Sequence, residues 1–391
     1  MPVPSHCPNP ACANHHRPGR GWKTEFGFYH TRAHGRVKRY RCRRCRRTMS
    51  AQTESLHYYA KRRLPLRAVW ASLLGGASQR EIARRYAVSP MAVQNAVLRL
   101  GRQAMAGQLG LLSSLSPRSR VVFDGLRSCT SSQDFPCDIT TVIEPAGETI
   151  LTMAHTIGRR GGRMRAAQRR RLERKLRVWR PAAGTMSGDI SRVVSELWDY
   201  LRVPESAPAV VDTDEHPLYG AVIARDPASS HFAGAALFRH ITTPGSAPRT
   251  VANRLFAVNY ADRLLRHRLR EHTRETIAIG RHASLQMHRA WIFAWDHNAR
   301  RPWRVRRPRM GVHAAQSAVA AERVREISAS FFTRRRIAPA QAAVPETLRR
   351  VWMCELPTPP LRWKRGQRGS SVRVPDYAVR DLAAACGQHA C

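Results

Sequence analysis

The sequence predicts an α/β protein in which a small cysteine-held head and a helical unit precede a sheet-and-helix core and a mainly helical or irregular tail. Three observations carry this. Four cysteines open the chain in two short-spaced pairs, Cys7 with Cys12 and Cys42 with Cys45. Helix-period patterning fills residues 60–105. Short β-branched runs then alternate with helical segments, as expected where helices layer onto a sheet.

The two cysteine pairs come first. Zinc takes four soft or borderline ligands in a tetrahedron, usually from two close pairs on facing turns. Here 29 residues separate the pairs, and Phe26–Tyr29 and Val37–Tyr40 read as two short strands of a zinc ribbon. Residues 1–50 are poor in aliphatics, so bound metal is expected to stabilise them directly. Four free thiols are the plain alternative; His6, His15 and His16 are spare nitrogens that could replace a cysteine. From Arg32 to Arg47, nine of sixteen residues are Lys or Arg and none is acidic. Such a surface, with Arg43 and Arg44 on it, suits phosphates. Cys129, Cys137, Cys354, Cys386 and Cys391 read as free thiols.

A helix-turn-helix pattern follows. Ser78 caps a first helix through Tyr86, with Glu81 three residues on completing a capping box. Ala87 to Ser89 make the turn, and Ser89 with Pro90 starts a second helix, Met91 to Leu100. Val93, Val97 and Leu100 then face inward, while Gln94, Asn95 and Arg99 face out. Gln and Asn can each make paired hydrogen bonds to adenine in a major groove. An ordinary helical hairpin has the same pattern; the ribbon beside it favours DNA.

Charge agrees. The 391 residues carry 67 Lys and Arg against 27 Asp and Glu, a net of +40, with 43% hydrophobic residues. This is a globular composition whose self-repulsion asks for a polyanionic partner, and duplex DNA is expected. A general arginine bias explains part of the excess but not its clustering. No apolar leader and no apolar run of about 18 residues is present. A reducing cytoplasm, near the nucleoid, and no membrane are therefore expected.

In the core, Arg120–Gly125, Asp138–Ile143 and Thr149–Met153 read as strands, the last two joined by a turn at Glu144–Gly147. A basic helix is expected from Arg163 to Arg180, interrupted by a single acid, Glu173. Arg169, Arg170 and Arg171 on it read as a DNA clamp. A helix from about Ile190 to Leu201, a strand Ala209–Asp212, and helices Tyr260–Ile279 and His282–Trp295 follow. Beyond Asn298 the chain turns Arg/Pro-rich through Arg309 and then weakly periodic. Trp303, Trp352 and Trp363 there suit either a DNA-contacting tail or a subunit-docking arm.

With so few acids, their positions are informative. Asp124 lies in the first strand and Asp214 just after the strand at 209–212. Carboxylates at the ends of neighbouring parallel strands can share divalent metals about 3.5–4 Å apart, placed for phosphodiester chemistry. Pairing with arginine is the competing expectation. Asp212 competes with Asp214 for the second position.

This order of cysteine ribbon, helix-turn-helix, Val121 to Asp124, and Thr213 to Tyr219 resembles bacterial insertion-sequence transposases of the insertion-sequence-one type and their relatives. The resemblance spans about residues 5–300 and includes Asn259 to Arg266 and Arg274 to Arg281. It implies a ribonuclease-H-like mixed-sheet core with an Asp-Asp-Glu triad, Mg²⁺ as catalytic metal, and a homo-oligomer on DNA. It also implies a tyrosine five residues after the second Asp, as Tyr219 follows Asp214. The chain departs from the family at the third acid, where Asn259 stands. Arg266, seven residues later on the same helical face, would hold phosphate. Asp262, one turn from Asn259, could supply the missing charge, with Glu271 an outsider.

The resulting division is 1–50 ribbon, 51–115 helix-turn-helix, 120–300 catalytic core with a basic helical insertion at 158–182, and a basic tail at 301–391. The expected activity is metal-dependent DNA cleavage and strand transfer at terminal repeats. The alternative is a non-catalytic DNA-binding regulator or an inactive, domesticated copy.

Overall fold

The computed structural model describes residues 3–9, 11–115, 118–201, 208–235, 237–302, 311–314, 317–336, 344–364, 366–367 and 369–386. Trp303 and the rest of the Arg/Pro run to Arg309, and Cys391, lie outside the described residues, as does the side chain of Cys386.

The head begins with a short helix, α1 (Ala13–His16), followed by an antiparallel sheet of β1 (Lys23–Thr31), β2 (Gly35–Cys42) and β3 (Thr48–Ser50). Both expected strands are present and β3 joins them. The apolar cluster around the cysteines holds Tyr40, Met49 and three buried cysteines, with Trp22 and Cys45 packed against it, and Val37 in β2 is also fully buried. So small an apolar cluster supports a separate unit poorly without a crosslink.

Three helices follow: α2 (Leu66–Leu74), α3 (Gln79–Arg85) and α4 (Pro90–Leu112). Ser78 Oγ accepts from Glu81 N at 3.1 Å and Ser89 Oγ from Ala92 N at 3.2 Å, so both expected N-caps form. Glu81 turns its carboxylate to Arg84 at 3.4 Å instead of closing the capping box. Between the helices Ala87 sits at φ +47°, which makes the sharp turn. The second helix does not end at Leu100. It runs twelve residues further, and Leu100 to Leu111 are all buried.

That extension joins the helical unit to the central sheet. Gly101 lies so close to α10 (Ala283–Ala299) that a Cβ there would meet His288 Nδ1 at 2.3 Å, and one at Gly107 would meet the Trp295 ring at 3.1 Å. Glycines that read as helix breakers are here the points where two helices touch.

The central sheet contains β4 (Arg120–Cys129), β5 (Pro136–Glu144), β6 (Thr149–Ile157), β7 (Ala209–Asp214) and β8 (Phe238–Thr243), in the order β6-β5-β4-β7-β8. The β4–β5 and β5–β6 pairs are antiparallel; β4–β7 and β7–β8 are parallel. Between β6 and β7 lie α5 (Ala166–Val178) and α6 (Thr185–Tyr200), and between β7 and β8 lie α7 (Pro217–Arg225) and α8 (Pro227–Gly234). Alternation splits the sheet's side chains between two cores. Val121, Phe123, Val142 and Leu151 pack with α6 and α7. Val122, Leu126, Ile139 and Ile143 pack in the cluster that holds α4, α10 and α9 (Phe256–Arg268).

The helix expected to reach Ile279 stops at Arg268, where a 3₁₀ turn, Arg270–His272, replaces it. Arg266 Nη1 donates to the His272 carbonyl at 2.9 Å and Glu271 pairs with Arg289, so the chain is held in the turn. The tail is part of the fold. Its helices are α11 (Ala318–Ser330), α12 (Glu346–Trp352) and α13 (Asp376–Cys386). Phe331 stacks on Trp295 with ring centroids 5.4 Å apart, and buried Trp352 donates its indole N–H to the Ala378 carbonyl at 2.8 Å. Of the tryptophans expected to suit a DNA-contacting tail or a docking arm, Trp352 is therefore core and Trp363 stacks on Phe135 at 5.3 Å. Among the described residues no helix is long and apolar enough to cross a membrane.

Candidate functional site

The cysteine centre is built by two turns that β1 and β2 bring together. Cys42 and Cys45 occupy a knuckle closed by Arg46 N donating to the Cys42 carbonyl at 3.0 Å, with Arg46 at φ +62°. Cys7 and Cys12 come from the segment before α1. All four Sγ atoms lie within 4.8 Å of one another; Cys7 and Cys45 are 3.3 Å apart, and Cys12 and Cys42 3.9 Å. A tetrahedral zinc with Zn–S of about 2.3 Å sets sulfurs roughly 3.8 Å apart, so the set fits. A disulfide, at about 2.05 Å, does not.

The thiols are prepared unequally. Burial opposes ionisation of Cys42, but the Asn14 amide at 3.4 Å and the backbone N–H groups of Cys45 and Arg44 outweigh it and bring it down to about 6. Burial pushes Cys7 and Cys12 up. The chain thus offers a ready thiolate to a metal, which binds thiolates. The histidines are not in the ligand set: His15 Nδ1 lies 2.6 Å from the Cys7 carbonyl and His6 lies 3.4 Å from Glu54.

The second site is acidic. In the β4–β7 register Val122 stands beside Asp212, so Asp124 and Asp214, two residues further along each strand, leave the sheet at the same level. They share the face that carries Val122, towards α9. Asp212 shares that face too, but it is fully buried, with Arg120 and Arg254 each 2.5 Å from its carboxylate. Asp124 and Asp214 have no ion pair among the described residues. Their oxygens accept only local backbone N–H groups, Gly125 at 2.6 Å and His216 at 2.8 Å.

Opposite them, α9 buries Val258, Ala261 and Leu265, which places Asp262 at the edge of its inward face. Asp262 Oδ1 is buried without a hydrogen-bond partner. Its carboxyl is raised well above the usual range, by burial first and then by the charge of Asp124, against the pull of Arg266. Asp124 is pushed up to about 6 by burial and by Asp214 and Asp138, with the Gly125 N–H and Arg249 opposing. Tyr219 joins the group: burial, then Asp124, Asp214, Asp138 and Asp262, push its phenol up and keep its proton on. A Cβ at Gly125 would lie 3.0 Å from the Tyr219 hydroxyl, so a side chain there would push the phenol aside. Among the described residues only the cysteines gather three or more ligand atoms within 4.8 Å; these carboxylates stand further apart.

The remaining expected residues divide. Asn259 is half-buried, one turn from Asp262, and makes no side-chain hydrogen bond among the described residues. Arg266 is committed to the carbonyls of His272 and Arg127, at 2.9 and 3.0 Å, and ties α9 to β4 rather than reaching for phosphate. Glu271 is held by Arg289. Asn95, Arg43, Arg44, Arg169 and Arg170 are exposed, and Gln94 is partly so. Arg99 instead donates to the carbonyls of Tyr58 and Leu56. Arg171 grips buried Asp134 at 3.1 Å through two nitrogens, with Lys175 adding a third contact at 2.7 Å. Both are internal ties. Sequence reasoning missed Asp138 and Gly125; an acid placed inside the expected strand Asp138–Ile143 was the available signal.

No protein-family model matches the chain, and no curated protein matches it.

Proposed function

We propose that the chain is a DNA transposase: the head and helix-turn-helix bind the terminal repeats of its element, and the acidic site cuts and joins strands there. The observation that carries this reading is the state of Asp124 and Asp214. In a chain of net charge +40 neither makes an ion pair among the described residues, and they stand level on adjacent parallel strands, facing Asp262. Buried carboxylates without a cationic partner shift towards the protonated form, and a bound divalent cation would restore the ionised form. The sheet order, with a central strand flanked by antiparallel β5 and parallel β7, supports a ribonuclease-H-like core.

Asp124, Asp214 and Asp262 would hold Mg²⁺, a hard cation suited to carboxylate oxygen, with Asn259 as a neutral alternative to Asp262. Bound there, the metal would stabilise charge on the attacking and leaving oxygens of an in-line displacement. One P–O bond forms from water or a 3′-hydroxyl and one breaks, with no change of oxidation state. Tyr219 keeps its proton and can donate to a carboxylate or phosphate oxygen. The cysteine centre would hold structural zinc, and exposed Arg43, Arg44, Arg169 and Arg170 suit phosphate contacts from a homo-oligomer on DNA.

The test is Mg²⁺-dependent nicking and joining of a duplex carrying the flanks of the chain's own gene. Wild type is compared with Asp124→Ala, Asp214→Asn, Asp262→Asn and Asn259→Ala. Loss in the first two is expected, with Asp262→Asn losing more than Asn259→Ala. If Asp124→Ala cuts at the wild-type rate, the site is misassigned. If the chain binds this duplex and never nicks it, the non-catalytic regulator replaces the enzyme.

A further inference from the structure

A groove of about 820 Å³ runs between the head's sheet and the segment leaving it, within the range of about 300–1,000 Å³ usual for ligand clefts. Tyr29 and Arg39 come from the sheet, and Tyr58, Tyr59, Lys61 and Arg62 from the segment after β3. No Asp or Glu lines it. Arg32, Lys61 and Arg62 also line a second cavity of about 270 Å³, which reaches Tyr86, Ala87 and Val88 at the helix-turn-helix turn and again has no acid. The two form one cationic track from ribbon to helices.

The rings at its wall say what lies in the track. Tyr59 is 67% exposed, with backbone φ +57°, a conformation bulky residues rarely adopt, and its ring centroid lies 4.4 Å from that of Tyr58. Exposed rings beside cations are the recurrent platform on which unpaired bases stack.

We infer that this groove binds unpaired nucleotides of single-stranded DNA, with a base stacked on Tyr59 and its phosphates along Arg32, Lys61 and Arg62. A base inside a duplex has both faces covered by its neighbours, so one that stacks on Tyr59 must be single-stranded or flipped out. Cations alone would serve an acidic peptide equally; the tyrosine pair selects a base. The inference needs nucleic acid as partner but not the chemistry of Asp124, so the two stand or fall separately.

Fluorescence anisotropy of the full zinc-loaded chain tests it, with oligo(dT) of about eight nucleotides and with a blunt duplex of unrelated sequence. Tyr59→Ala is expected to weaken oligo(dT) binding roughly 5- to 150-fold, the range for loss of one stacked base, while duplex binding changes less than about twofold. Tyr59→Phe keeps the ring and should bind as wild type. Lys61→Gln should weaken both ligands and lower the salt dependence. Photocrosslinking with a 5-iodouracil oligonucleotide should map to the peptide holding Tyr58 and Tyr59, which a mere folding defect would not produce. Unchanged oligo(dT) binding in Tyr59→Ala, crosslinks elsewhere, or equal displacement by poly-glutamate each overturns the inference. Intact oligo(dT) binding in an Asp124→Ala chain that no longer nicks supports both readings; intact binding beside undiminished nicking removes only the catalytic one.

Discussion

Asp212 and Asp214 stand two residues apart on one face of β7, and only Asp212 is neutralised by arginine. Their roles should separate accordingly. Asp212→Asn leaves Arg120 and Arg254 facing each other across an uncharged group; both reach solvent, so the loss is smaller than the about 3–5 kcal/mol of a charge left fully buried. That variant should unfold at clearly lower denaturant. Asp214→Asn relieves repulsion with Asp124, so its midpoint should equal or exceed wild type while nicking is lost. Urea melts of both settle this, and a large loss of stability in Asp214→Asn would remove the distinction.

Proton binding gives a second expectation. Asp124 titrates near 6 in the folded chain against an ordinary 3.8, so the folded state binds its proton more tightly. Stability from this group is therefore greatest at low pH and declines as pH rises from about 4 through 6. Asp262 shifts in the same direction. A bound cation reverses the effect by favouring the ionised forms. Mg²⁺ should then raise Tm by a few degrees at about pH 7.5 and by less than about one degree at about pH 5. Asp124→Asn should abolish most of the difference. An equal Mg²⁺ shift at both pH values would mean the cation binds elsewhere.

For the head, removal of zinc is the direct perturbation. Its apolar cluster is too small to hold three strands, so chelation should melt residues 3–50 and abolish DNA binding. The buried tryptophans Trp291 and Trp295 lie in the central cluster and should keep their near-ultraviolet signal. Metal analysis should find about one zinc per chain, and Cys42→Ser should lose it. Retention of head structure in chelator would show that the sulfurs are not holding it.

The parts of this fold that could be read from sequence are those where local pattern and tertiary packing agree. The runs that became β4 to β7 are apolar and β-branched, and Ser78 and Ser89 cap the helices they mark. Patterning failed where long-range contacts decide. The strand β8 has a His and three Thr or Arg residues among its six and is fixed by pairing with β7. Beyond Leu100, Gly101 and Gly107 argue locally against a helix, and only His288 and Trp295 across the interface explain them. At the acidic site, Asp124 could be named from its strand, and Asp214 from the resemblance to the transposase family that Tyr219 carries. The choice against Asp212 needed Arg254, 42 residues away in the chain. Arg99 looked outward by helical phase alone, because nothing local shows that the segment through Tyr58 covers it.

Helix α5 offers the last expectation, since its arginines divide into anchors and exposed cations. Arg171 and Lys175 hold Asp134, which is 1% exposed, whereas Arg169 and Arg170 point to solvent. If the helix clamps DNA, each exposed arginine that meets a phosphate releases about one counterion. The double variant Arg169→Ala with Arg170→Ala should reduce the slope of log K against log salt by roughly 1–2, with Tm unchanged. Arg171→Ala should do the reverse: it leaves Asp134 with Lys175 alone, lowers Tm, and changes the slope by less than one contact. Binding isotherms at three or more salt concentrations, beside thermal melts, distinguish the two. Identical slopes for wild type and the double variant would make α5 a solvated face tied down by Asp134, and place the phosphate contacts on the head.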